Sequence, residues 1–133
     1  MASTMHKPIT LRLPFAAASV AVARQRLRAW MLDMGCSSES VEDARIVVSE
    51  LVANAVRHAR PLADGGLVVT WTRDRDEVRI SVTDGGSTTR PRYVHAPATA
   101  LAGRGMAIVD ALAGQWWTEG TASRSTVYVL LSV

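Results

Sequence analysis

The chain has 133 residues, 48% of them hydrophobic, which is enough to bury one core and too few for two ordinary domains. A single cysteine, Cys36, excludes an internal disulfide and favours a reducing, cytoplasmic location. The net charge of +3 is diffuse, and no apolar run reaches the roughly 18 residues of a membrane span, so we expect neither direct nucleic-acid binding nor a membrane segment.

The N-terminal part of the chain predicts a tail, a strand and a long helix. Residues 1–7 have no pattern and are expected to be flexible, which leaves residues 8–133 as one domain. Apolar and polar residues alternate over residues 9–13, as in a strand. Apolar residues then recur at helical spacing over residues 16–34, and Gly35 ends the predicted helix.

A second helix and a hairpin are predicted next. Serines within residues 37–40 are candidates for the helix N-cap, and the helix should end before Pro61. Two strand-like segments, residues 67–72 and 78–83, flank the charged segment 73–77, which indicates a β-hairpin.

The C-terminal part predicts a loop, a helix and two strands. Residues 87–102 are polar and aperiodic, and such a long connection is typical of a functional lid. A short apolar helix follows over residues 106–112, and strands are expected at 115–119 and 126–133. The order βααββαββ predicts an α+β fold, with about three helices covering one face of a mostly antiparallel sheet.

The second predicted helix carries a stripe of polar side chains beside its apolar face. Glu50, Asn54 and His58 are spaced by four residues, so they lie along one side of the helix. A carboxylate and an amide oxygen one turn apart suit Mg²⁺, which prefers oxygen ligands and retains several waters. The alternative is an ordinary hydrogen-bonded polar cluster, and His58 alone is more typical of a surface or capping histidine.

Two glycine-containing segments are further candidates for a site. Asp84 ends a strand before Gly85 and Gly86, where it can either close a turn or accept a hydrogen bond from an exocyclic amine such as that of adenine. Gly103 and Gly105 flank Arg104 at a helix start, an arrangement that suits phosphate contact or simple turn formation.

The adjacent Trp116 and Trp117 should face opposite sides of the sheet, because side chains alternate along a strand. One of them is predicted to belong to the core. The other is then available for contact with a partner.

Three segments in order resemble the N box and the two glycine boxes of the GHKL ATP-binding superfamily: ELVANAVRHA (residues 50–59), VTDGG (82–86) and GRGMAIVDALA (103–113). The resemblance extends over roughly residues 44–113. The histidine-kinase and gyrase branches need additional domains, so the chain length favours the small stand-alone branch. This branch contains the anti-sigma factor serine/threonine kinases of bacterial partner-switching systems.

The resemblance implies a Bergerat ATPase fold, a two-layer α/β sandwich, with ATP and Mg²⁺ as cofactors. It implies that Asp84 recognises the adenine amine and that Asn54 helps to hold the metal. Glu50 is the implied general base. The remaining residues implied in nucleotide binding are Gly86, Gly103, Arg104, Gly105 and Met106.

The implied partners are an anti-sigma factor antagonist of the STAS type, whose serine or threonine would be phosphorylated, and a sigma factor that would be held inactive. A homodimer is also implied. Thr88 replaces a further glycine of the first glycine box, and residues 100–102 lack the acidic residue common before the second. These departures concern closure of the site over the phosphates and transfer of the phosphoryl group. The alternative function is a catalytically silent interaction module of the same fold.

Overall fold

The computed structural model describes residues 7–86 and 104–133. Three helices and five strands occur in these ranges, in the predicted order. They are β1 (Ile9–Pro14), α1 (Ala18–Asp33), α2 (Ser38–His58), β2 (Gly66–Asp74), β3 (Glu77–Asp84), α3 (Arg104–Leu112), β4 (Gln115–Thr121) and β5 (Arg124–Ser132).

The five strands form one sheet with the order β1-β2-β3-β5-β4, in which every neighbouring pair is antiparallel. Apolar side chains that alternate along the strands fall in register across the sheet; for example, Val69 pairs with Val82, and Val129 pairs with both Ile80 and Trp116. These residues are buried and form one side of the core. Hydrophobic burial on this single face holds the helix layer onto the sheet.

The helices supply the other side of the core. Helix α1 buries residues at four-residue spacing, including Ala23, Leu27 and Met31, and packs against α2. Helix α2 begins at a serine cap, where the Ser37 hydroxyl accepts a hydrogen bond from the backbone N–H of Ser40. Helix α3 packs against α2 as well. The predicted α+β two-layer sandwich is therefore confirmed.

The observed boundaries differ from the prediction mainly at the β2–β3 hairpin. The pairing continues to Asp74 and Glu77, so only Arg75 and Asp76 form the turn, with Arg75 at a φ of 58°. Charged residues extend a strand here because their side chains stay in solvent while their backbones pair. Some predicted features lie outside the described residues: residues 1–6 of the flexible tail, the lid (residues 87–102) and Gly103.

Helix α1 exposes Arg26 and Arg28, while Arg24 is half-buried. Within residues 7–86 and 104–133, no helix combines the length and the apolar content that crossing a bilayer requires.

Candidate functional site

Helix α2 places Glu50 and Asn54 at the border of its apolar face. Both residues are half-buried, and their neighbours Leu51, Val52 and Ala55 are buried in the core. His58 is the last residue of the helix and is exposed. The packing of the apolar residues fixes the helix rotation, so Glu50 and Asn54 point along the edge of the core rather than into bulk solvent.

The side chain of Asn54 contains an orphaned acceptor. Its Oδ1 is buried and has no hydrogen-bond partner among the described residues. A buried amide oxygen without a partner is costly, by about 1–3 kcal/mol, unless a ligand satisfies it. An oxygen of this type is a suitable ligand for Mg²⁺, so the residue present here fits the metal that the sequence implied.

The described residues contain no group of three or more His, Cys, Asp or Glu side chains that could hold a metal ion.

Asp84 ends strand β3 in a largely buried position, with 8% of its surface exposed. Burial raises the pKa of this carboxyl, and a hydrogen bond from the backbone N–H of Gly86 to Oδ1, at 2.8 Å, partly opposes that effect. Among the described residues, the Gly86 N–H is the donor to the Asp84 carboxylate. The other oxygen, Oδ2, can accept a further hydrogen bond from a ligand. The carboxylate is thus held in one orientation and is only weakly solvated.

A backbone contact ties the Asp84 turn to the chain that leaves helix α2. The Gly85 N–H donates to the carbonyl of Arg60 at 2.7 Å, and the Arg60 N–H donates to the carbonyl of Gly86 at 2.9 Å. A Cβ atom on Gly85 would lie 2.0 Å from the carbonyl oxygen of Pro61, so only glycine permits this approach. Since Arg60 follows the end of α2 closely, Asp84 and the C-terminal part of α2 lie at the same end of the domain.

The conformation and the surroundings of Gly86 also require glycine. Its φ is +89°, and an added Cβ would lie 2.7 Å from the carbonyl oxygen of Ala122 in the β4–β5 turn. The Asp84 turn is therefore enclosed between two backbone segments. Beside it, the hydroxyls of Thr83 and Thr126 are 2.8 Å apart and join β3 to β5.

Helix α3 begins at Arg104, two residues earlier than the apolar pattern suggested. Gly105 therefore lies in its first turn, where free backbone N–H groups and the helix dipole favour an anion. Met106 is buried in the hydrophobic core with 6% exposure, and its contact with a nucleotide remains a prediction. The contribution of Arg104 and Gly105 to phosphate binding also remains a prediction.

Sequence reasoning did not identify several residues of this region. Gly85 and the backbone of Arg60 are needed to position Asp84, but their pairing depends on a contact between distant elements. The pair of threonine hydroxyls depends on the β3–β5 register, which joins strands that are not consecutive. A signal for Gly85 was present in the adjacent glycines, since two in a row commonly mark a close backbone approach.

A model of the histidine kinase-like ATPase domain matches residues 13–127 of the chain. The chain is 36% identical over 86 residues to the serine-protein kinase RsbW of Listeria monocytogenes, covering 64% of this chain and 55% of the relative. It is 30% identical over 116 residues to the serine-protein kinase RsbW of Oceanobacillus iheyensis, covering 78% of this chain and 73% of the relative. At 55%, the chain spans about half the length of the Listeria relatives that it matches.

Two solved structures have a similar fold. The structure of the RsbU and RsbW domains of a Mycobacterium tuberculosis protein matches with a TM-score of 0.74 at 24% identity, covering 96% of this chain and 32% of that one. The SiaB–SiaC complex from Pseudomonas aeruginosa matches with a TM-score of 0.70 at 11% identity, covering 92% of this chain and 88% of the matched one. At these identities the likeness concerns the fold alone.

Proposed function

This chain belongs to the histidine kinase-like ATPase domain family, and on that premise we propose that it is an ATP-dependent serine/threonine protein kinase. The observation that carries the proposal is the Asp84 carboxylate, which is buried, oriented by Gly86 and capable of accepting a further hydrogen bond. Such a group is costly to bury without a ligand, and an exocyclic amine of adenine is the donor that it suits.

Different residues of this chain bind different parts of the nucleotide. Asp84 orients the adenine, and the glycines beside it permit the close backbone approaches that hold its turn. Asn54 supplies its orphaned Oδ1 to magnesium, together with phosphate oxygens. When bound, Mg²⁺ would offset the negative charge of the phosphates. The first turn of α3 supplies backbone N–H groups toward the same phosphates.

Glu50 is the proposed general base. It lies one turn before Asn54 on the same side of α2, and among the described residues it has no hydrogen-bond or ion-pair partner. It would accept the proton of a serine or threonine hydroxyl as that oxygen bonds to the γ-phosphorus and the bond to the β-phosphate oxygen breaks. The products are ADP and a phosphorylated partner.

The names of the relatives support a role in partner switching. Two relatives are serine-protein kinases called RsbW, which favours the kinase over the silent module of the same fold. We infer that the substrate is an anti-sigma factor antagonist of the STAS type and that a sigma factor is the second partner, held inactive while the antagonist is phosphorylated. The same role implies a cytoplasmic location, where ATP is supplied, and a homodimer.

The kinase proposal is tested by phosphoryl transfer from γ-labelled ATP to candidate antagonists. Glu50→Gln should lower the transfer rate about 100-fold or more, because general-base catalysis contributes 10²–10⁴-fold, while ATP binding persists. Glu39→Gln, an exposed substitution in the first turn of the same helix, is the matched control and should leave the rate unchanged. A full rate in Glu50→Gln would refute the assigned base, and ATP binding without transfer to any antagonist would support the silent module.

A further inference from the structure

Helix α2 carries two further side chains in line with Glu50 that neither the core nor the nucleotide site uses. It is the central helix of its layer, because α1 and α3 both pack against it. Asp43, Ile46 and Glu50 follow one another at spacings of three and four residues, so they lie along one side of the helix. We call these three residues the Asp43–Glu50 strip.

Ile46 is an exposed apolar side chain in the middle of this strip. It is 37% exposed, whereas the adjacent Val47 and Val48 are fully buried. It lies one turn before Glu50, about 6 Å along the helix axis. A single exposed apolar side chain is common on a protein surface, but this one lies beside the proposed general base, where a protein substrate has to make contact. Covering it with an apolar group of that substrate would be favourable.

Asp43 adds a charge without a partner at the other end of the strip. Its side chain is half-buried, and it lies about 10 Å before Glu50 along the axis. Within residues 7–86 and 104–133, no basic side chain lies within ion-pair distance of its carboxylate. Arg45, two residues later, binds Glu42 instead, at 2.7 Å. The Asp43 carboxylate is therefore available to a cation on a bound protein.

Phosphoryl transfer brings the partner's surface onto this strip. A general base acts at hydrogen-bond distance, so the serine or threonine hydroxyl of the substrate must come within about 3 Å of the Glu50 carboxylate. Resting on the proposed kinase function, we propose that Ile46 and Asp43 select the protein substrate. The surface that bears the phosphoacceptor carries an apolar side chain that covers Ile46 and a lysine or arginine that pairs with Asp43.

The strip suits a protein better than any part of the nucleotide. An aspartate repels phosphate groups, and an aliphatic side chain offers them no hydrogen bond. Ile46 and Asp43 do not contact the reacting atoms, so they should bind the substrate equally in the ground state and in the transition state. Their loss should then raise the KM for the protein substrate and leave kcat unchanged.

The test is steady-state transfer from γ-labelled ATP to the antagonist that the wild type phosphorylates, with the antagonist concentration varied. Ile46→Ala and Asp43→Arg should each raise its KM about 10-fold, with kcat within about two-fold of the wild type. Asp43→Asn, which removes only the charge, should raise KM less than Asp43→Arg.

Two matched controls make the same changes elsewhere on the surface. Val22 is an exposed apolar residue of α1, and Asp76 is an exposed acid in the β2–β3 turn. Val22→Ala and Asp76→Arg should leave KM unchanged. Thermal unfolding and calorimetric titration of ATP should show that every variant is folded and binds the nucleotide like the wild type.

A charge reversal on the antagonist identifies the contact. Each exposed lysine or arginine around its phosphoacceptor is replaced singly by glutamate, and one of these variants should restore a low KM with Asp43→Arg. If no reversal does so, the pairing of Asp43 with a basic residue is wrong. An unchanged KM in both Ile46→Ala and Asp43→Arg would overturn the proposal while the kinase stands, as would a lower kcat at an unchanged KM. Failure of the wild type to phosphorylate any candidate antagonist would instead overturn the kinase and this proposal together.

Discussion

Replacing Gly85 by alanine should damage the fold and the nucleotide site together. The added Cβ would lie 2.0 Å from the carbonyl oxygen of Pro61 and 2.7 Å from its carbonyl carbon. Both are backbone atoms, so no side-chain rotation relieves the contact. The two segments must separate, and the hydrogen bonds that Arg60 makes with Gly85 and Gly86 are lost or lengthened.

The expected magnitude follows from these contacts. Losing two backbone hydrogen bonds costs about 2 kcal/mol in total, and overpacking adds about 1–3 kcal/mol. The free energy of unfolding should fall by roughly 3–5 kcal/mol, which is a large share of the 5–15 kcal/mol typical of a domain. For a chain of this length the melting temperature should fall by about 10–18 °C. ATP affinity should fall as well, because Asp84 moves with the turn.

Thermal unfolding without nucleotide, followed by circular dichroism, measures this effect. Gly114→Ala is the matched control, because its Cβ would meet only the carbonyl oxygen of Leu130 at 3.7 Å, an ordinary contact. The Gly114→Ala variant should melt close to the wild type. If Gly85→Ala melted at the same temperature as Gly114→Ala, the close approach between Gly85 and Pro61 would not constrain the fold as described.

Two further predictions concern the buried polar groups of the site. Asn54→Leu removes an orphaned acceptor, so the free energy of unfolding should stay equal or rise by about 1 kcal/mol. Magnesium-dependent ATP binding should be lost. If chemical denaturation instead showed a fall of several kcal/mol, Oδ1 would have to be satisfied in the free protein. Burial raises the pKa of Asp84 in the folded state, so its contribution to stability is present below the pKa of the unfolded chain and is lost as the pH rises through the folded pKa. Asp84→Asn, which stays neutral, should therefore melt above the nucleotide-free wild type at neutral pH, with a difference that shrinks as the pH is lowered; a pH-independent difference would contradict the assigned cause.

The order of the elements was predictable because local patterns determine it. Period-two alternation identified β1 and the β2–β3 hairpin, and helical spacing identified α1 and α2, to within a few residues. The Glu50–Asn54 stripe was also predictable, because four-residue spacing on a helix fixes which side chains share a side. The orphaned state of Asn54 Oδ1 was not, since it depends on what surrounds the helix.

Features that join distant segments could not be predicted in the same way. The Gly85–Pro61 approach requires the end of α2 to meet the end of β3, and no local pattern specifies that meeting. The rings of Trp117 and Tyr128 stack with centroids 5.1 Å apart, and the Arg79 guanidinium lies within 5.7 Å of both centroids. This contact requires β5 to lie between β3 and β4, an order that the sequence of elements does not reveal. Alternation did predict that Trp116 and Trp117 face opposite sides, and the structure buries Trp116 in the core and places Trp117 beside Tyr128 on the other face of the sheet.

The most direct test of the nucleotide site is calorimetric titration of ATP with magnesium into the wild-type protein and into Asp84→Asn. We expect saturable binding by the wild type and loss of that binding in Asp84→Asn, whose fold is retained because the asparagine oxygen can still accept a hydrogen bond from the Gly86 N–H. Equal ATP affinity in the two proteins would contradict recognition of adenine by Asp84, and an absence of binding to the wild type would contradict the nucleotide site itself.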